Sequence, residues 1–348
     1  NITGLEFKPD MVWIKSRSHA TYGGGLSYHH LIWDVLRGVG SNTIGASSRK
    51  ELTVNENYQE GRGANYTDYY GHVSSFNEDG FQLDFVSGQP PFYVNQTSRT
   101  YVAWCWKAGG AGVSNSDGSI ASTVSANTEA GFSIVTYTGS GSNATVGHGL
   151  NEAPQVLFVK TRTSADHWAI YHRSVGNTKI LYLNLTNSPA TSSNYWNNTT
   201  PTSTVFSIGN DNKTGKSGDN YVAYCWHEVP GYSKFGSYTG NGSANGPFIH
   251  LGFRPAWFLQ KKTSGTGGWY LFDNKRSGFN VDNDMLVPNA TDAEYDGQTY
   301  PRLDFVSNGI KWVDAGSSVH NASGATYVYM AFAERPSGTI FGVDANAR

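Results

Sequence analysis

The amino-acid sequence predicts an all-β protein made of tandem antiparallel β-sandwich domains, of the jelly-roll or Ig-like kind, repeated about three times. Short runs of β-branched and aromatic residues alternate with clusters of Gly, Asn, Asp and Pro, which is the pattern of strands joined by turns. Charged residues are only 15% of the chain, against about 25% in typical globular domains. The best helical candidate, residues 31–36, is too short to predict a helix.

A closing strand of one pattern occurs three times, at 101–106 (YVAWCW), 221–226 (YVAYCW) and 327–332 (YVYMAF). Its copies are 120 and then 106 residues apart. Periods of about 20–50 residues indicate solenoids or propellers, so these longer spacings predict whole domains in tandem. The predicted division is repeat 1 at 1–107 (incomplete at its N-terminal side), a Gly/Ser/Asn-rich linker at 108–130, repeat 2 at 131–230, repeat 3 at 231–335, and a tail at 336–348.

Each repeat also contains a proline followed, six residues later, by a lysine that ends a strand. The pairs are Pro9 and Lys15, Pro154 and Lys160, and Pro255 and Lys261. Repeats 2 and 3 open with a matching strand and turn, YTGSGS at 137–142 and YTGNGS at 238–243. Repeat 1 shows no such opening, so we expect this strand either upstream of Asn1 or degenerate in the first copy.

The closing strands are apolar on both faces. In the first copy one face carries Tyr101, Ala103 and Cys105, and the other carries Val102 and two tryptophans. A strand of an ordinary sandwich has one polar face. The pattern therefore predicts a central strand whose outer face is covered by loops, by a neighbouring domain or by another subunit.

Two aspartates at equivalent positions of the repeats, Asp34 and Asp273, are the most obvious acidic pair. A glycosidase needs two carboxylates about 5–10 Å apart in one cleft, and equivalent positions in separate domains lie farther apart. Each aspartate has an arginine three residues later, Arg37 or Arg276. We therefore interpret them as structural ion pairs and predict no catalytic residues.

The sequence predicts no cofactor. Its histidines lack the spacing of zinc sites, and the oxygen-rich loops at 210–215 and 282–284 lack the bidentate Glu of an EF-hand. Calcium in these loops remains the alternative to plain turns. Cys105 and Cys225 occupy the same strand position in two repeats, which predicts buried free thiols rather than a disulfide.

Aromatic residues on variable loops are the candidate ligand-binding residues. Trp and Tyr rings stack on sugars, and neighbouring Asn and Asp side chains supply hydrogen bonds. Variable loops on a repeated scaffold are typical of binding surfaces. The alternative is that these rings make packing or subunit contacts. The candidates are Tyr66, Tyr69, Tyr70, Tyr93, Tyr195 and Trp196.

Charge and hydropathy exclude some partners. The net charge of −2 argues against nucleic-acid binding, which needs a basic surface. No apolar run approaches the ~20 residues of a membrane span, so we expect no membrane insertion.

Two parts of the chain resemble virion appendage proteins of tailed bacteriophages that infect marine or freshwater bacteria. The first runs from the first closing strand through the linker (YVAWCWKAGG, then NSDGSI and GFSIVTYTG), and the second is the final repeat (GYSKF to FAE). The resemblance covers nearly the whole chain. It implies a tail-fibre-like structural protein on the virion surface and brings no catalytic residues.

The leading hypothesis is therefore a non-enzymatic virion surface protein that displays variable loops for host-surface glycans. Its expected partners are other virion proteins and further copies of itself, with a trimer favoured because symmetric assembly would cover the apolar strand faces. A capsid decoration or head-fibre protein is the first alternative. A polysaccharide depolymerase and a secreted carbohydrate-binding module are the others.

Overall fold

The computed structural model describes residues 1–22, 26–42, 49–62, 71–88, 91–276, 280–281, 284–296, 302–313 and 319–334. The predicted all-β class is confirmed, because the chain folds into several antiparallel sheets. In the described part, the helical elements are a 3-10 turn at Glu60–Arg62 and one α-helical turn, α1 (Ser193–Trp196). Residues 31–34 form a strand rather than a helix.

The first main sheet has the strand order β6-β5-β2-β9. A smaller sheet, β1-β8-β7, and the hairpin β3-β4 accompany it. The strands in this part of the chain are β1 (Ile2–Thr3), β2 (Met11–Ser16), β3 (Thr21–Tyr22), β4 (Leu26–Ser27), β5 (Leu31–Asp34), β6 (Leu52–Thr53), β7 (His72–Asn77), β8 (Gly80–Asp84) and β9 (Tyr101–Trp106).

The second main sheet has the order β10-β11-β12-β19-β14-β15-β16-β17, and β13 pairs with β18 beside it. Residues of the predicted linker form β10 and β11, which extend this sheet beyond β12. The strands are β10 (Val113–Asn115), β11 (Ser122–Asn127), β12 (Phe132–Thr138), β13 (Ala144–Gly147), β14 (Val156–Thr161), β15 (Ala169–His172), β16 (Lys179–Tyr182), β17 (Ala190–Thr191), β18 (Val205–Ile208) and β19 (Asn220–Trp226).

The third main sheet has the order β20-β28-β22-β23. The sheet β21-β27-β26 and the pair β24-β25 lie beside it. The strands are β20 (Ser233–Thr239), β21 (Phe248–His250), β22 (Trp257–Lys262), β23 (Trp269–Asp273), β24 (Asp284–Met285), β25 (Tyr295–Asp296), β26 (Leu303–Val306), β27 (Gly309–Trp312) and β28 (Thr326–Phe332).

The closing strand pairs with the lysine-bearing strand in the same register in all three main sheets. The first residue of the lysine strand faces the last residue of the closing strand: Met11 and Trp106, Val156 and Trp226, Trp257 and Phe332. The opening strands β12 and β20 pair with the other edges of β19 and β28. Each is followed directly by a glycine, because a Cβ on Gly139 or Gly240 would lie 2.3 Å from a backbone carbonyl oxygen.

One hydrophobic cluster, here called the central cluster, joins one face of all three main sheets. It includes Trp13 of the first, Phe158 of the second and Leu259 of the third. The opposite faces pack in three separate clusters. Most residues of β19 and β28 are therefore buried on both faces within the chain, which explains why the closing strands are apolar on both sides.

The three main sheets meet at a cavity of about 10 Å³. Its lining is apolar and comes from all three sheets, including Trp106, Tyr224 and Trp257. A cavity needs about 10–15 Å³ to hold a single water, and apolar ones stay dry. This cavity therefore offers no room for a ligand.

Candidate functional site

The structure places three of the six candidate aromatics. Tyr93 is 3% exposed and packs on Phe92 with ring centroids 4.3 Å apart. Trp196 is 1% exposed, and its indole N–H donates to the Lys179 carbonyl at 3.0 Å. Neither ring is available to stack on a ligand here. Tyr66, Tyr69 and Tyr70 lie outside the described residues.

Tyr195 on α1 is half-buried. Its hydroxyl lies 3.1 Å from the Tyr182 hydroxyl, and the Lys213 ammonium lies 5.9 Å from its ring centroid. Burial and the bond to Tyr195 raise the pKa of Tyr182 above its usual value. Tyr195 is therefore the candidate ring, among those described, that combines partial exposure with neighbouring polar groups.

The proposed calcium loop at 210–215 is held by protein groups. The Asp211 carboxylate accepts from the Lys213 backbone N–H at 2.9 Å and from its ammonium at 3.2 Å. Within the described residues, no group of three or more His, Cys, Asp or Glu side chains is arranged to hold a metal ion. Residues 282–283 of the second loop lie outside the described part.

The two cysteines are free thiols. Burial raises the pKa of Cys105 to about 12 and that of Cys225 still further. A thiol rather than a thiolate is present at neutral pH, so these groups are poor nucleophiles.

The aspartates at equivalent positions are buried acceptors between main sheets. Asp34 binds Arg37 of its own turn and accepts from the hydroxyl of Tyr224, of the second sheet, at 2.6 Å. Asp273 binds Arg276 and accepts from the indole of Trp104, of the first sheet, at 2.9 Å. The predicted ion pairs are present, and each also joins two sheets.

His172 stands at the equivalent position of the second sheet. Its Nδ1 accepts from the Ser174 backbone N–H at 3.2 Å, so its Nε2 carries the proton and donates to the Tyr329 carbonyl of the third sheet at 3.1 Å. Burial lowers the pKa of His172 to about 4. The residue is therefore a neutral cross-link at physiological pH.

The lysines that mark the repeats have a role that the sequence did not reveal. Each lysine is the fifth residue of its strand and is fully buried. Burial lowers the pKa of Lys15 and Lys160 to about 7 and that of Lys261 to about 8. Each ammonium reaches a carbonyl on a loop of a neighbouring sheet: Lys15 to Thr291 (3.3 Å), Lys160 to Asn57 (3.4 Å) and Lys261 to Thr186 (3.3 Å).

Indole groups make a second set of equivalent bonds. The Trp168 N–H donates to the Thr53 carbonyl at 2.9 Å, and the Trp269 N–H donates to the Tyr182 carbonyl at 2.8 Å. At the third such position the ring of His30 is directed at the Val287 carbonyl, outside standard hydrogen-bond geometry. The second main sheet thus donates an indole bond to the first, and the third donates one to the second. At the equivalent position of the first sheet, His30 is directed toward the third.

Two glutamates complete the polar contacts between sheets. Glu60 binds Arg162 of the second sheet at 2.7 Å, and Glu294 binds Arg17 of the first sheet at 2.7 Å. Burial by itself raises the pKa of Glu60, but Arg37 and Arg162 outweigh it and lower the value. The Glu60 carboxylate is therefore an ionised partner of arginine, and an ionised carboxylate is unsuited to general acid catalysis.

These contacts hold the main sheets together. The recurring Lys and Asp positions were visible in the sequence as repeat markers, but their partners in the other sheets lie at least 75 residues away along the chain. No helix in the described part of the chain has the length and apolar character needed to cross a membrane.

The comparisons with known proteins add one relationship. No curated protein and no solved structure matches the chain. A family model described as "Domain of unknown function (DUF7483)" matches residues 1–336 and so spans all three main sheets. The chain therefore belongs to the DUF7483 family.

Proposed function

We propose that the chain is a non-enzymatic structural protein of a bacteriophage virion surface, of the tail-fibre or appendage type. The observation that supports the proposal most is the set of buried ion pairs at the contacts between the main sheets. Asp34, Asp273 and Glu294 are all bound by arginines at contacts between main sheets. A rigid β-sheet block joined in this way suits a particle exposed to the extracellular medium, and the sequence resemblance supplies the phage context.

Adhesion to host-surface glycans is the role we propose for the loops around α1. Tyr195 supports it, because its partly exposed ring lies beside polar groups of Tyr182 and Lys213. Trp196 acts beneath it as a buried anchor for the helical turn.

A polysaccharide depolymerase is less well supported. It needs an acid and a base facing one cleft, whereas Asp34 and Asp273 are buried beside Arg37 and Arg276. Release of oligosaccharides from host capsule by the purified chain would favour this alternative.

The location is tested by immunogold labelling of intact particles of the phage that encodes the chain. Labelling of the tail supports the appendage role, and labelling of the head assigns a capsid decoration role instead. Particles that carry no label, while the same antibody recognises the purified chain, contradict the proposal.

The adhesive role is tested by binding of the purified chain to host cells. We expect Tyr195→Ala to weaken binding with an unchanged melting temperature. Tyr295→Ala is the matched control, because Tyr295 is also an exposed tyrosine, 43% accessible, on β25. Equal binding by both variants would show that the α1 loop is not the adhesive surface.

A further inference from the structure

β9 is the closing strand of the first main sheet, and its outer edge differs from those of its two counterparts. β19 lies between β12 and β14, and β28 lies between β20 and β22. β9 pairs with β2 on one side and, within the described residues, with no strand on the other. It occupies the same place as β19 and β28 but lacks the neighbour that each of them has.

The exposure of β9 follows this difference. Ala103 is exposed and Tyr101 and Cys105 are half-buried, whereas Tyr221, Ala223 and Cys225, their β19 counterparts, are all 0% exposed. The two strands have nearly the same sequence, YVAWCW and YVAYCW. The missing neighbour, rather than side-chain chemistry, therefore accounts for the exposure.

Among the residues that the structure describes, the outer edge of β9 presents an unpaired row of backbone polar groups. The Arg17 N–H donates to the Thr100 carbonyl at 2.8 Å, and bonding alternates along an antiparallel pair. The peptide groups of residues 102, 104 and 106 therefore face β2, while those of Tyr101, Ala103 and Cys105 face away from it. Such an edge is a template for another strand.

The ring of Tyr101 is also positioned to contact a strand at this edge. Tyr137 of β12 stacks on Tyr221 with centroids 5.1 Å apart and planes at 11°, and Tyr238 of β20 stacks on Tyr327 at 4.8 Å and 11°. The Tyr101 hydroxyl donates to the Phe92 carbonyl at 2.6 Å. The Tyr221 hydroxyl donates to the Asn212 carbonyl in the same way. The Tyr101 ring is thus fixed, but it has no stacked ring among the described residues.

We propose that the outer edge of β9 is a strand-acceptor site for one extended peptide segment with the side-chain pattern of β12 and β20. Edge-strand pairing of this kind draws affinity from main-chain bonds and specificity from alternate side chains. The third residue of the segment is large and apolar, as in Ile134 and Phe235, and faces Trp104. The sixth is tyrosine and stacks on Tyr101. This inference does not depend on the virion assignment.

The test uses a fluorescein-labelled synthetic peptide with the sequence of residues 131–140 and the full chain. We expect saturable binding by fluorescence anisotropy, and at least tenfold slower hydrogen exchange at the amides of Ala103 and Cys105. A peptide carrying Val135→Pro lacks the donor that pairs with Ala223 in β19, and it should bind at least tenfold more weakly. A scrambled peptide is the composition control.

The matched protein variant is Ala103→Pro. Proline is tolerated on an edge strand where its missing N–H faces outward, so we expect an unchanged melting temperature and at least tenfold weaker binding of the peptide. The peptide variants decide the matter if this protein variant does not fold.

Three results would overturn the proposal. The first is no binding up to millimolar peptide, and the second is equal binding of the scrambled and native-sequence peptides. The third is concentration-dependent dimerisation of the chain that Ala103→Pro abolishes, because a second copy would then be the occupant of the edge.

Discussion

At the scale of the residue, buried polar side chains act as cross-links between sheets. Lys160 satisfies a carbonyl of another sheet through its ammonium, and Trp168 does so through its indole. A buried carbonyl without a donor costs roughly 1–3 kcal/mol. These side chains therefore specify which sheet faces which, in addition to contributing stability.

The buried Asp273–Arg276 pair gives a residue-scale prediction. We expect Asp273→Asn to destabilise the chain by roughly 1–3 kcal/mol, because the change removes the charge-assisted bond to buried Arg276 and leaves Glu294 as its remaining countercharge. The measurement is the free energy of unfolding in urea. Glu334→Gln is the control, since Glu334 pairs with Lys275 at the surface with side chains 56% and 68% exposed. An exposed pair contributes about 0–1 kcal/mol, and equal effects of the two changes would contradict the cross-link role.

His172 gives a prediction on pH. The unfolded chain protonates this residue below its ordinary pKa of 6.5, whereas burial holds the folded pKa at about 4. Its stabilising contribution is therefore fully present above pH 6.5 and is lost as the pH falls to 4, by roughly 3 kcal/mol in total.

The test compares the wild type with His172→Asn, measuring the free energy of unfolding from pH 7 to 4. We expect the variant to lose less stability over this range than the wild type does. Parallel curves would show that His172 does not titrate differently in the folded and unfolded states.

At the scale of the element, β9 and β19 show how neighbours decide the environment of one sequence pattern. Both strands carry Tyr, Ala and Cys on one face. In β19 all three are buried between β12 and β14, while in β9 the same face is partly open.

A proline pair tests this contrast. Ala223→Pro removes a backbone donor that pairs with β12 in the interior of the second main sheet, so we expect a loss of at least roughly 1–3 kcal/mol, the cost of leaving the buried partner carbonyl without a donor. Ala103→Pro should change stability by less than about 1 kcal/mol, because the N–H it removes faces outward. The melting temperatures of the two variants are compared by circular dichroism. A large loss in Ala103→Pro would mean that the outer edge of β9 is already paired.

At the scale of the whole molecule, the shared central cluster makes the main sheets interdependent. Trp106 of the first sheet contacts Trp257 of the third edge-to-face, with centroids 5.7 Å apart. One family model also spans residues 1–336. Separating the sheets would expose a large apolar surface, at about 25 cal/mol per Å².

We therefore expect a single cooperative unfolding transition for the full chain. Differential scanning calorimetry is the measurement, and the calorimetric and van't Hoff enthalpies should agree. Two or three resolved transitions would instead indicate sandwiches that unfold independently.

The trimer expected from the sequence stays a prediction, but the apolar faces of the closing strands do not require it. The apolar faces of β19 and β28 pack within the chain, in the central cluster and in the separate clusters behind it. A partner subunit is therefore not needed to cover them. Oligomeric state needs its own measurement, and sedimentation of the purified chain provides it.

By itself, the sequence determined the all-β class, the closing strands, the Pro-to-Lys spacing and the ion-pair roles of Asp34 and Asp273. These features are local, because alternation, turn residues and an arginine three residues away act within one strand and its turn.

Only the tertiary structure decided that Trp196 is buried, that Lys15, Lys160 and Lys261 bridge neighbouring sheets, and that β9 has an outer edge that no described strand pairs with. Each of these depends on contacts between residues far apart in the chain. A pattern repeated in sequence specifies a strand, but which neighbour covers that strand depends on how the sheets close around their shared core.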